Sequence, residues 1–164
     1  MNVYEYAMQM ELDGKTFYED HAKKMKQPQL QKILLQLADD EQKHYTIFKA
    51  MRDGRKAEYK DDEKTTILAS VKNVFQQLKA ADQEFEFPDN AKDCWVEARE
   101  VEKKTEVFYR EKAAELSDKM QREIFNRIAD EEHKHWVTME NVIQFIDRPS
   151  HWLEDAEWSH LEEY

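Results

Sequence analysis

Ala38-Asp39-Asp40-Glu41-Gln42-Lys43-His44 and Ala129-Asp130-Glu131-Glu132-His133-Lys134-His135 are near-copies of each other, set 91 positions apart. The same offset, with no gap, aligns Glu11 with Glu102, Phe17 with Phe108, Tyr18 with Tyr109, Ala22 with Ala113 and Ile33 with Ile124. The chain therefore reads as two related segments, each carrying a lone Glu and, 30 residues later, a Glu-x-x-His.

Working outward from the motifs, apolar residues recur at steps of three and four. Tyr4, Ala7, Met8, Glu11, Tyr18, Ala22 and Met25 share one face of a helix over about 2–26. Pro28 suits the first turn of a second helix, where its missing N–H costs nothing, and Gly54 can end that helix in a left-handed cap. Between them lie Leu30, Ile33, Leu34, Leu37, Glu41, His44, Phe48 and Met51 on one stripe. The second half repeats the pattern over about 90–116, capped by Asp89 or Asn90, and over 119–147, stopped by Pro149. Ile67, Leu68, Val71, Val74, Phe75 and Leu78 mark one extra helix within 64–81. This predicts an all-α protein: a four-helix bundle over 1–147, built from hairpins 2–53 and 90–147 joined by a long crossover, 54–89. The tail, 148–164, carries Trp152, Leu153, Trp158 and Leu161 and reads as a short docking helix.

Composition agrees. Two Gly and three Pro in 164 residues leave few turns, and 40% hydrophobic with 12% aromatic content supplies a core despite a mean hydropathy of −0.99. A formal charge of −11 disfavours nucleic acid and anionic membranes as partners. The single Cys94 can form neither an internal disulfide nor a thiolate metal site, and reads as a small buried hydrophobe. No secretory signal and no membrane-length apolar run is seen, so a cytoplasmic location is expected.

Glu11, Glu41, Glu102 and Glu132 all fall at the middle of apolar stripes with no Lys or Arg interleaved to neutralise them. Burying an unpaired carboxylate costs on the order of several kcal/mol, and four together repel one another. Two divalent cations would balance four carboxylates. Glu and His at i and i+3 share a helix face, so each Glu-x-x-His can present a bridging carboxylate and a terminal imidazole. Glu11, Glu41, His44, Glu102, Glu132 and His135 thus form a candidate two-metal site whose oxygen-rich donors suit iron, with manganese as the alternative. One Glu-x-x-His arises readily by chance in an acidic helix; two in register, each following a core-facing Glu, do not. The offset selects His135 over His133, which is expected to face elsewhere. Asp39 and Asp130 are expected to accept the free N–H of the histidines across the bundle. Tyr18 and Tyr109, two turns beyond the lone glutamates, are candidate catalytic residues, with ordinary core packing as the competing reading. Thr105, one turn after Glu102, is expected to face the metals.

On these residues the chain resembles the rubrerythrin branch of the ferritin-like superfamily, over roughly 2–53 and 90–147. The resemblance implies a ferritin-like bundle whose two-iron site reduces hydrogen peroxide or dioxygen with electrons from a redox partner, and a possible homodimer. The chain departs from the best-known members twice. It lacks their four-cysteine rubredoxin domain, so its electron donor would be a separate protein. Thr105 also stands where those members carry a further Glu, with Glu106 beside it and Glu97 on the other side. Two other readings stay open: iron handling of the ferroxidase kind without peroxidase turnover, and a metal-stabilised structural or partner-binding bundle.

Overall fold

The computed structural model describes residues 1–56, 59–60, 64–155 and 157–163. Its helices are α1 (Val3–Lys24), α2 (Pro28–Arg52), α3 (Ile67–Ala81), α4 (Asp93–Glu115), α5 (Lys119–Asp147) and α6 (Pro149–Glu154), followed by a 3₁₀ turn, Glu157–Glu163. The fold is an all-α ferritin-like bundle. α1 packs chiefly on α2 and α4 on α5, so each sequence repeat is one antiparallel hairpin.

Local chemistry sets the boundaries. Asn2 accepts the Glu5 N–H at 2.9 Å and caps α1. Pro28 occupies the first turn of α2, and Gly54 follows that helix at φ +69°, the left-handed conformation expected of it. Asp118 caps α5 through the Gln121 N–H, and α5 runs over the expected 119–147. The start of α4 differs from expectation. Residues 89–92 form tight turns, with Ala91 N–H donating to the Pro88 carbonyl and Asp93 N–H to that of Asn90, so the helix begins at Asp93. Pro149 closes α5 and also opens α6 at its first turn.

The core is divided by height. One apolar cluster takes the C-terminal half of α1, the start of α2, the start of α4 and the end of α5, with α3 and the tail laid over it. There Phe75 meets Phe145, Trp152 and Trp158 at ring separations of 5.6, 5.7 and 6.1 Å, and Trp158 Nε1 donates to the Trp152 carbonyl at 3.0 Å. The tail thus docks as its apolar residues predict. The second cluster, around Phe48, Tyr109, Phe125 and Ile128, fills the other end. Between the two lies a buried layer of polar residues.

Candidate metal centre

That layer holds all six predicted ligand residues. Glu11, Glu41, His44, Glu102, Glu132 and His135 are each at most 4% exposed. They fall into two overlapping sets whose ligand atoms lie within 4.8 Å of one another: Glu11, Glu41, His44 and Glu132, and Glu41, Glu102, Glu132 and His135. Glu41 and Glu132 belong to both. Each hairpin supplies the lone Glu and the His of one set and shares its motif Glu with the other.

The imidazoles are oriented from behind. His44 Nε2 lies 2.8 Å from Glu131, and His135 Nε2 lies 2.9 Å from Asp40. With Nε2–H donating outward, Nδ1 of each ring faces the carboxylates. His44 Nδ1 is 3.1 Å from Glu132 and 3.4 Å from Glu11; His135 Nδ1 is 3.2 Å from Glu41 and 3.3 Å from Glu102. The rings stack loosely, 6.1 Å apart at 24°.

This corrects the expectation for Asp39 and Asp130. Both are exposed, and Asp130 pairs with Arg110 at 2.9 Å. Two positions before the motif Glu is a rotation of about 200°, which points outward. Asp40 and Glu131, one position before it and four before the His, turn toward the opposite hairpin. Those two are also 91 apart, an acid in each copy.

The crossover locks this arrangement. Thr65, nearly buried, donates its backbone N–H to Glu131 at 2.6 Å and its hydroxyl to Asp40, and its Oγ1 accepts the Ile67 N–H at 3.1 Å. One residue outside the four bundle helices therefore holds the carboxylates behind both histidines. Sequence reading gave no signal for it.

The tyrosines bond across the hairpins. Tyr109 donates to Glu11 at 2.8 Å, and Tyr18 donates to Glu102. Burial, followed by the charge of the bonded glutamate, pushes both phenols well above their ordinary range, so each keeps its proton. His133 faces Glu106 at 3.2 Å, away from the layer as expected. Arg110 holds Glu106 at 3.0 Å, and Glu97 is exposed. Thr105 borders the layer, but its hydroxyl donates to the Val101 carbonyl at 2.9 Å.

Electrostatics describe a cluster that needs positive charge. Burial pushes Glu102 up to about 8, with the Glu132 charge adding to it, and burial with Glu11 and Glu132 holds Glu41 well above the carboxylate range. Burial opposes ionisation of Glu11 too, but the His44 charge outweighs it and leaves Glu11 lowered. For the histidines burial disfavours the cation, yet Glu11 beside His44 and Glu102 beside His135 drive both well above their ordinary value. Asp40 and Glu131 end lowered: burial opposes the charge, and their histidine partners outweigh it. Glu11 Oε2, Glu41 Oε1 and Glu102 Oε2 are buried with no aligned hydrogen-bond donor among the described residues. Buried carboxylate oxygens without an aligned donor on both ligand sets, with two inward Nδ1 atoms, are the donor chemistry of a pair of hard or borderline divalent cations.

A cavity of about 270 Å³ adjoins the layer between α1 and α4, with Glu41, Glu102, Glu132 and Tyr18 among its lining residues. Among the described residues no helix is long and apolar enough to cross a membrane.

A ferritin-like bundle with a buried Glu/His cluster suited to metal is the class that fold and site define. The family model described as Rubrerythrin matches residues 2–143, and the chain belongs to that family. Neither curated proteins nor solved structures give a match.

Proposed function

We propose that this chain is a non-haem di-iron oxidoreductase that reduces hydrogen peroxide or dioxygen with electrons delivered by a separate redox protein. The observation that carries the reading is the pair of overlapping ligand sets sharing Glu41 and Glu132. Glu11, His44, Glu102 and His135, together with the shared carboxylates of Glu41 and Glu132, would hold two irons. Two ferrous ions held there would supply the two electrons that O–O cleavage consumes.

The chain's own residues supply position and protons. Asp40 and Glu131 orient the imidazoles so that Nδ1 faces inward. Reduction of peroxide to two waters takes up two protons as well as two electrons. Tyr18 lines the cavity and keeps its phenol proton at neutral pH, which makes it a candidate proton donor to an entering substrate. The apolar clusters above and below the layer keep bulk water from its other sides.

Anaerobic iron loading followed by metal analysis tests the reading first. About two irons per chain are expected, lost in Glu41→Ala/Glu132→Ala, together with peroxide consumption when a reductant is present. A full complement of iron without turnover of peroxide or dioxygen would overturn the enzymatic reading.

A further inference from the structure

The cavity beside the candidate metal centre is much larger than hydrogen peroxide requires. A water molecule takes up about 30 Å³ in the liquid, and a dry cavity of about 150 Å³ holds benzene. The space here is about 270 Å³.

The sequence builds that space. Gly14 stands three residues after Glu11 and Thr105 three after Glu102, a pair related by the 91-residue offset. Both are short, and both line the cavity. A Cβ at Gly14 would come within 3.0 Å of Glu41 Oε2, so any larger residue there would press on a candidate ligand. The Thr105 hydroxyl is already engaged by the Val101 carbonyl and offers no donor to a guest.

The lining is graded by burial. Tyr18, Glu41 and Glu102 are buried, and the two carboxylates each have an oxygen with no aligned donor. Met10 and Phe17 from α1 and Ala98 and Val101 from α4 supply apolar lining. Asp13 and Val101 are both exposed, which places the mouth at the surface. A guest matched to this lining has a polar head and a compact apolar body. An anionic body is disfavoured by Asp13 at the mouth and by the chain's net charge of −11.

We propose that the cavity admits neutral organic hydroperoxides, R–OOH, with a compact apolar R of roughly ten carbons or fewer, judged against the benzene-sized cavity. The proposal rests on the peroxide-reducing reading of the same site. The O–O bond breaks. The oxygen attached to carbon leaves as the alcohol R–OH, and the distal oxygen leaves as water. Two protons are taken up, and two electrons come from the same external redox protein that would serve hydrogen peroxide. Met10, Phe17, Ala98 and Val101 hold R, which aims the hydroperoxide at the buried carboxylates.

Two measurements test this on the full chain. The first is the ratio of kcat/KM for cumene hydroperoxide to that for hydrogen peroxide in the iron-loaded protein. Ala98→Leu narrows the buried wall and Val101→Phe narrows the exposed mouth, where folding is not at stake. Either variant should lower the ratio at least tenfold. The second is binding of 2-phenylpropan-2-ol, the alcohol product, to zinc-loaded protein by saturation-transfer NMR. Wild type should bind it, and the narrowed variants should bind it at least fivefold more weakly. Hydrogen peroxide turnover without cumene hydroperoxide turnover overturns the proposal alone, as does a ratio unchanged in both variants or no alcohol binding in wild type. No turnover of either peroxide overturns the peroxidase reading and the proposal with it.

Discussion

Tyr109 on α4 donates a hydrogen bond from its hydroxyl to Glu11 on α1 at 2.8 Å, and its sequence mate Tyr18 on α1 does the same for Glu102 on α4. The two bonds cross the seam between the hairpins in opposite directions. Their surroundings are not equivalent, because of the two only Tyr18 lines the cavity.

That asymmetry predicts unequal variants. Tyr18→Phe should slow peroxide turnover by roughly tenfold or more if its proton is used in the reaction. Tyr109→Phe should have a clearly smaller effect. Steady-state rates of the two iron-loaded variants check this. Equal losses would reduce both tyrosines to supports for the glutamates they bond.

The histidine partners give a second prediction. Asp40→Asn should weaken divalent metal binding by about 10–100-fold, whereas Asp39→Asn should leave it unchanged. Thr65→Val, which keeps the backbone bond to Glu131 but loses the hydroxyl bond to Asp40, should fall between them, and Thr65→Ser should restore wild-type affinity. Cobalt titrations followed by visible absorption read the affinities. A full effect from Asp39→Asn would contradict the geometry at the site.

Stability of the metal-free protein should fall as pH rises. Glu102 is raised to about 8 and Glu41, His44 and His135 are raised as well, so the folded state binds more protons than the unfolded chain. The resulting stabilisation is complete below the unfolded carboxylate pKa and is lost as pH rises through the folded values. Glu11, Asp40 and Glu131 are lowered, and their contribution is lost only in stronger acid. Thermal midpoints of the metal-free protein should therefore drop by on the order of 5 °C between pH 6 and 8.5, at roughly 2–4 °C per kcal/mol for a chain of this size. Metal should abolish the trend by binding the folded state. A metal-free midpoint that rises over this range would refute the assignment.

The tail and α3 make a stability prediction separate from the centre. Phe75 is fully buried among Phe145, Trp152 and Trp158. Phe75→Ala should cost about 3–5 kcal/mol while the number of metals bound stays at the wild-type value. Denaturant unfolding with metal analysis on the same sample separates the two.

The convergence of the six candidate ligands was legible because two signals coincided, a buried-stripe position and an exact repeat offset. Neither signal carries information about the flanks of a helix. Asp39 and Asp130 are identical in the two copies, whereas Asp40 and Glu131 differ in type and turn toward the opposite hairpin, an orientation set by helix packing. Thr65 was invisible for a stronger reason. Its role depends on where the crossover passes over the bundle, and nothing local in Lys64-Thr65-Thr66 encodes that path. The early turns before α4 show the same limit: Asp89 and Asn90 are good caps in isolation, but residues 89–92 turn instead.

The divided core has a consequence for the life of the chain. Neither apolar cluster is continuous with the other, and the layer between them is where charge must be neutralised for the two halves to hold together. If metal fills that layer, its supply would set how long each molecule survives as well as whether it reacts. In a metal-starved cell the chain would open more often, meet proteases sooner and be cleared, so that its abundance would track available metal with no dedicated sensor.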